Sequence, residues 1–500
     1  MRMRARKSVA QVILALGVMV VSTRAEMLVG WGRADITPPV TPDRPALKTG
    51  LLVPRYTSEV ESRLTVTALA LEVTQTSGAA DQMILVSYDL GTFSFGFSED
   101  DAPLIVLRRR LQGRLPGFDL NKLITQATHC HSVANFDIGR YQNPDPRAIR
   151  SAEVYELYLT GVAEAIESAW KNRRPGAMTW GLGHAAVAKN RRAVYPDGRA
   201  VMGGWRKDPA FAHIEGGSDH GVEMIFLWDL RDRLSGVLVN VACPAQTNSQ
   251  LPALSADYWD EVRVRLAQHP DFAGAYVLPM LAVAGDQWPT YDYIRERAEA
   301  AMEGRRGLSR AREMGRRVAN AVLDVYPFCR EDRQREVPFV HRVETLALPY
   351  REITAEDVAK MRAEYQRLER DVTNPFRSTE MQKFRMLLDR AERQRNGKVT
   401  TDAEVHVLRL GDLAIATNPF ELFLDYGVQI KSRSPAVLTL TGQLAAETGK
   451  YQAYLATERA IQAGGFSADV LWFNYVGPEG GRLLVDRTVE LIKELWPEAK

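Results

Sequence analysis

Four short segments hold residue types that can bind a divalent cation or move a proton. They are Thr128-His129-Cys130-His131-Ser132, Cys243-Pro244-Ala245-Gln246-Thr247-Asn248, Asn418-Pro419-Phe420-Glu421 and Tyr451-Gln452-Ala453-Tyr454-Leu455-Ala456-Thr457. Imidazole, thiolate and carboxylate are ordinary protein ligands of Zn²⁺, and a phenol can join them or donate a hydrogen bond to a developing oxyanion. Side chains alternate along an extended chain, so His129 and His131 would share a face while Cys130 points away. That pair suits two metal contacts, or one ligand beside a proton acceptor. Each segment also has a plainer role. A lone cysteine ending an apolar run usually packs in a core, an acid opening a helix complements its dipole, and a half-buried tyrosine needs no special function.

Two further segments add polar groups. Gly285-Asp286-Gln287-Trp288-Pro289 closes an apolar run with an acid that could orient a histidine or assist catalysis. Asn190-Arg191-Arg192 offers amide and guanidinium donors suited to binding a polar or anionic part of a substrate.

These residues need strands and turns to bring them together. Leu64 to Val73, Gln82 to Leu90 and Lys122 to Ala127 read as strands, the last placing His129 just past a strand end. In open α/β sheets ligands sit at such carboxyl ends. Met224 to Leu230 and Leu234 to Ala242 flank the polar Arg231-Asp232-Arg233 and read as a hairpin delivering Cys243. Ala275 to Ala284 is a strand leading to Asp286. Val405 to Leu410 and Leu413 to Thr417 form another strand pair, leading to Glu421 at the start of an amphipathic segment. Pro103 to Leu115, Ala152 to Asn172, Ala256 to Gln268, Leu308 to Val325 and Leu483 to Trp496 read as helices. The fold class expected is α/β, a mixed β-sheet core flanked by helices. Ala355 to Asn396 is charge-rich and reads as a helical insertion broken at Asn374-Pro375, with a secondary role as a lid.

Residues 1–25 describe an address: Arg2, Arg4, Arg6 and Lys7, then an apolar run from Val9 to Val21, then Thr23-Arg24-Ala25. This is the pattern of a cleaved export signal, and the run is shorter than the roughly 20 residues of a spanning helix. Residues 26–500 are expected to form one domain, located in the periplasm or outside the cell. The 64 basic residues nearly balance the 62 acidic ones, which leaves no electrostatic footprint for nucleic acid. A small molecule or an amphiphile is the expected partner. Cys130, Cys243 and Cys329 allow at most one disulfide, so at least one thiol stays free.

Taken in order, the segments resemble the catalytic domain of the neutral/alkaline non-lysosomal ceramidases, over roughly Val29 to Leu495. Gly30-Trp31-Gly32-Arg33-Ala34-Asp35-Ile36-Thr37 is similar to that family's opening Gly-x-Ala-Asp-Ile-Thr, and Thr128 to Ser132 to its Thr-His-Thr-His-Ser. Asn418 to Glu421 is similar to its Pro-Gly-Glu, and Ala453 to Thr457 to its Tyr-x-Thr-Thr. The resemblance implies a zinc-dependent amidase of linear amides in which Zn²⁺ is held by His129, Glu421 and Tyr454. By that match His131 and Tyr454 would act in catalysis; the residue types by themselves add Asp286 beside them and Asn190 and Arg191 as substrate contacts.

Two positions depart from the family. Cys243 stands where the family has a histidine ligand, so it would have to be the fourth metal ligand here. Ala282 stands near where the family has a serine or threonine hydroxyl. The chain also stops soon after the catalytic region, so no C-terminal β-sandwich is expected. The implied function is hydrolysis of an amide in a lipid-like N-acyl substrate by metal-activated water, with transient contact at a membrane surface. A non-catalytic binding protein on the same fold is the main alternative, and carboxylate-based glycoside cleavage by Glu421 and Asp286 is a third.

Overall fold

A computed structural model describes residues 26–49, 55–75, 78, 80–92, 102–137, 145–203, 208–289, 295–373, 377–397, 399–449 and 452–497. The segment read as an export signal lies outside them. No described helix is long and apolar enough to cross a membrane.

The larger of two principal sheets has eight strands. From one edge to the other they run Tyr276–Leu281, Leu234–Val241, Gly221–Asp229, Arg174–His184, Glu26–Asp35, Thr65–Thr74, Ala80–Tyr88 and Leu123–Ala127. Most neighbours are antiparallel, and the pair at each edge is parallel. The sheet curls until its edges meet, where the Gln126 side-chain amide donates to the Leu281 carbonyl at 2.7 Å. The smaller sheet orders Phe339–Pro349, Thr400–Leu410, Leu413–Thr417 and Leu438–Gly442, with only the last pair parallel.

Three apolar cores give the layer order. The outer face of the large sheet is covered by the helices Ser151–Lys171, Tyr258–Ala267 and Arg310–Cys329, through residues such as Val162, Ile166, Trp259, Val318 and Val322. The concave face, with Trp31, Leu69, Leu85, Ile225 and Leu278, cups Phe339, Leu408, Leu413 and Ile415 of the small sheet. The far face of the small sheet, with Val405, Val407 and Ala414, is closed by Leu484, Val485 and Val489 of the helix Pro478–Glu494. The order is helices, sheet, sheet, helices, so a mixed β core flanked by helices is what forms. The strands Leu123–Ala127, Gly221–Asp229, Leu234–Val241 and Leu413–Thr417 are covered on both faces, which is why these runs read as almost continuously apolar.

The opening Gly-Trp-Gly segment is a central strand of ten residues. A Cβ on Gly32 would fall against the Ala165 carbonyl, 2.9 Å from its carbon, so glycine is required for the Ser151–Lys171 helix to lie directly on this strand. The Phe339–Pro349 strand was not legible in the sequence, because its middle is only partly covered and carries Arg342, Glu344 and Thr345. The charge-rich insertion forms two helices, Ala355–Arg370 and Arg377–Arg395. They rest on Val470 and Trp472 through Ile353, Met361, Leu387 and Ala391. All three cysteines are free and buried.

Candidate active site

The five residues of Leu123–Ala127 are all buried, and the chain turns sharply where this strand ends. His129 has φ of 59°, the left-handed region, so it is not extended and strict alternation fails at that residue. The turn is pinned from both sides. Thr128 N donates to Tyr88 O, Cys130 N to Leu90 O, His131 N to Ala245 O, and Ala245 N to Thr128 O. The result still separates the side chains as expected: the His129 and His131 rings stand 4.9 Å apart at 73°, while Cys130 Sγ turns to the Ser255 carbonyl.

His129 Nδ1 faces the Gly91 carbonyl at 2.5 Å and therefore carries a hydrogen, which directs Nε2 to Glu421 Oε2 at 3.1 Å. Both side chains are buried. Burial disfavours the imidazolium, but the Glu421 carboxylate outweighs it and the pKa stands above the ordinary histidine value.

Glu421 is not in the first turn of a helix. It lies in the two-residue strand Glu421–Leu422, paired in parallel with Tyr454–Leu455 so that Glu421 stands opposite Tyr454. Glu421 N donates to Ala453 O at 2.8 Å, Gly285 N donates to Leu422 O at 2.7 Å, and the following helix begins only at Leu424. Thus three distant parts of the chain fix one carboxylate.

The Tyr454 phenol hydrogen-bonds to Glu421 and receives Arg191 Nη2 at 3.0 Å. Burial, and then the Glu421 charge, push its pKa up, so the phenol stays neutral and able to donate. Arg191 Nη2 also donates to the Gly285 carbonyl at 3.1 Å, and its Nε has no partner among the described residues. A guanidinium with an unfilled donor beside a neutral phenol is suited to a developing oxyanion.

His131 Nε2 is held by the Gln246 side-chain amide at 3.1 Å. The other expected residues lie further back. Cys243 is fully buried, with Sγ 3.8 Å from the carbonyls of Val187 and Pro244, and burial pushes its thiol pKa well up. Among the described residues no three His, Cys, Asp or Glu side chains are grouped so as to hold a metal ion, so Cys243 does not join His129 and Glu421.

Asp286 is filled by internal donors: Oδ2 accepts from Asn190 Nδ2 at 2.7 Å, and Oδ1 from Leu424 N at 2.9 Å and Gln287 Nε2 at 3.1 Å. It ties the Asn190 strand to the start of the helix after Glu421. Asn190 is spent on that contact, which leaves Arg191 as the member of its motif that reaches the phenol. Arg192 turns the other way, to a buried pair with Glu215. Ala282 is buried and brings no hydroxyl. Sequence reasoning missed the parts played by Gly91, Gln246 and Gly285. Gln246 left a trace there in the polar run Gln246-Thr247-Asn248 after an apolar strand, and Gly285 as the glycine that ends another.

Solved structures share this architecture. The crystal structure of neutral ceramidase from Pseudomonas aeruginosa matches with a TM-score of 0.63 and 17% identity, over 94% of this chain and 75% of that one. The fold is ceramidase-like. A structure described as ceramidase complexed with C2 matches equally well, with a TM-score of 0.63 and 16% identity, over 94% of this chain and 76% of the other. No protein-family model matches the chain, and no curated protein matches it in sequence.

The zinc expected from the resemblance can be tested against the donors of this chain. His129 Nε2 and Glu421 Oε2 stand 3.1 Å apart, a hydrogen-bonded contact a little shorter than the roughly 3.3–3.6 Å between two ligands of a tetrahedral ion with bonds of about 2.0–2.2 Å, so a small separation would admit a cation between them. The Gly91 contact fixes the tautomer that presents Nε2, the usual support for a metal-bound histidine. Tyr454, bonded to the same carboxylate, is a third donor. His129 and Glu421 are thus a pair of donors with Tyr454 beside them, while among the described residues no cluster of three His, Cys, Asp or Glu forms and the Cys243 thiol is directed to the Val187 and Pro244 carbonyls.

Proposed function

We propose that this chain is a hydrolase of linear amide bonds in a lipid-like N-acyl substrate, exported and working at or near a membrane surface. The observation that carries this reading is the convergence of His129, Glu421 and Tyr454, with His131 and Arg191 alongside, within a ceramidase-like fold. His129, Glu421 and Tyr454 would hold zinc, which when bound acidifies water and polarises a carbonyl.

The chain's own groups do the remaining work. His131, steadied by Gln246, takes the proton as water oxygen bonds to the amide carbon, and returns it to the amine nitrogen as the C–N bond breaks. The Arg191 guanidinium donates to the carbonyl oxygen as it gains charge, and the neutral Tyr454 phenol turns its single O–H from Glu421 to the same oxygen. Asp286 and Asn190 hold the strand that carries Arg191 and act by positioning. Because both Asp286 oxygens are occupied, it is a poor partner for Glu421 in glycoside cleavage. A binding protein without turnover is the second reading, favoured by the Cys243 thiol locked in the core and the missing hydroxyl at Ala282.

Metal analysis of the purified protein, with turnover of a panel of N-acyl amines, is the test. About one equivalent of zinc is expected, as in a mononuclear catalytic site, lost in His129→Ala and Glu421→Gln and kept in Cys243→Ala. Folded protein without zinc, or zinc retained in His129→Ala, overturns the metal assignment. Zinc without turnover of any N-acyl substrate favours the binding protein.

A further inference from the structure

The seam between the two principal sheets ends in a polar chain. His341, Glu404 and His406 share the face of the small sheet that meets the large one, since the register sets His341 opposite Leu408, His406 opposite Val343 and Glu404 opposite Thr345. Leu408 on that face belongs to the apolar core between the sheets. His341 Nδ1 meets the Gln82 carbonyl at 3.0 Å, His341 Nε2 meets His406 Nδ1 at 2.9 Å, and His406 Nε2 meets Glu404 Oε1 at 2.9 Å. Arg108 grips both Glu404 oxygens, at 2.6 and 3.0 Å. Both imidazoles are buried. The chain thus leaves the small sheet at both ends, for Gln82 of the strand Ala80–Tyr88 and for Arg108 of the helix Pro103–Leu111.

This chain has room for few protons. Its three ring contacts need three hydrogens, and two neutral imidazoles supply two. One added proton fills the third, and a second sets N–H against N–H across the 2.9 Å between His341 and His406. The surroundings oppose that second proton too. Arg108 faces the rings from its helix and Lys122 from the turn Leu120–Lys122, while the nearby carboxylates are already paired, Glu404 with Arg108 and Asp81 with Lys122. Burial is the largest cause holding both imidazoles below the ordinary histidine pKa. His406 and Lys122 add to it at His341, and Arg108 adds to it at His406 against the pull of Glu404. A cavity of about 430 Å³ opens at this end of the seam, walled by His341 and Glu404, with Asp119, Asn121, Arg342 and Thr345 exposed at its rim. A small parting of the sheets there brings the rings to water, where each takes a proton near pH 6.5.

We propose that the His341–His406 pair is an acid-sensitive latch between the two sheets, closed while it holds at most one proton and opened when both rings become charged. His129 follows a strand of the large sheet and Glu421 a strand of the small one, so the latch fastens the seam across which those two residues meet. It is independent of the function proposed above, and its test uses no turnover.

Urea unfolding of the full chain is compared at pH 7 and pH 5 in wild type, His341→Gln and His406→Gln. Each proton that the folded state refuses and the unfolded chain takes multiplies the unfolding constant about tenfold per pH unit below about 6.5. Between the two pH values the constant of wild type should therefore rise at least about tenfold more than that of either variant. A variant that merely loses a contact is weakened equally at both, so parallel changes in all three proteins overturn the latch. Amide exchange in wild type gives a check that needs no variant. The His341 N–H donates across the seam to Asp81 Oδ2 at 2.8 Å. Corrected for the intrinsic rate, its exchange should quicken at least about tenfold from pH 7 to pH 5, while the Leu234–Val241 strand keeps its protection. Unchanged exchange at His341, or a quickening shared by that strand, overturns the proposal.

Discussion

Replacing Gly285 by alanine should separate the Glu421 carboxylate from its partners without touching a catalytic side chain. A Cβ at position 285 would fall against the Glu421 carbonyl oxygen, 2.7 Å from its carbon and 2.9 Å from the Leu422 carbonyl carbon. These are backbone atoms, so no side chain can swing aside. Ordinary contact begins near 3.4 Å, and the Glu421–Leu422 strand must therefore retreat by at least about 0.7 Å. That retreat stretches the 2.7 Å bond from Gly285 N to Leu422 O and draws Glu421 away from His129. Overpacking costs about 1–3 kcal/mol and a weakened buried hydrogen bond about 1 kcal/mol, so the loss should be about 2–4 kcal/mol. Urea unfolding of Gly285→Ala measures it, with Gly304→Ala as control. Gly304 lies in the Glu296–Arg306 helix with open space around it, and alanine there should stabilise by about 0.5–1 kcal/mol. Zinc content or turnover, whichever the wild type shows, should fall with Gly285→Ala. A variant as stable as wild type, with zinc and turnover unchanged, would refute the close-approach argument.

Other expectations concern charge. Glu215→Ala leaves Arg192 buried without its carboxylate and should cost about 3–5 kcal/mol, whereas Glu458→Ala, at an exposed 3.6 Å pair with Arg482, should cost less than about 1 kcal/mol in the same urea assay. Lys48, 1% exposed and bonded to the carbonyls of Ser249 and Leu251, has its pKa lowered by burial to about 8. Between that value and the unfolded 10.5 the unfolded chain binds more protons, so stability should rise with pH across this window by about 2–3 kcal/mol. Lys48→Met should flatten the rise, and denaturation midpoints from pH 7.5 to 10 measure it. In chelator-treated protein the His129–Glu421 pair acts in the opposite sense. Its raised histidine pKa makes a contribution present in full below pH 6.5 and lost as pH rises through the folded value, and Glu421→Gln should remove that slope between pH 6 and 8.5.

Much of the large sheet was legible because its strands are covered on both faces and read as unbroken apolar runs. The hairpin Gly221–Asp229 with Leu234–Val241, the strand before His129 and the two insertion helices all formed where sequence placed them, within a few residues. The half-covered Phe339–Pro349 strand escaped, because solvent on one side lets polar residues interrupt the pattern. Of the site, residue types were readable and pairing was not. Glu421 looked like a helix-opening acid, since nothing local reveals a two-residue strand whose partner lies at Tyr454. Asn190 and Arg191 looked alike as donors until the structure gave one to Asp286 and the other to the phenol.

The sequence by itself determined the chemistry on offer: two imidazoles one residue apart, a carboxylate and a phenol, each next to an apolar strand or a tight turn. These follow from local composition, and a mixed sheet with helices follows from hydrophobic period. Only tertiary structure decided which of these groups meet. His129, Glu421 and Tyr454 converge because the large sheet curls until its edge strands touch and the Glu421 strand docks on Gly285. Cys243 fails to join them because its turn points the thiol into the core, beside the carbonyls of Val187 and Pro244. Contacts between residues hundreds of positions apart depend on sheet curvature and on close backbone approach, and neither leaves a periodic trace in the chain.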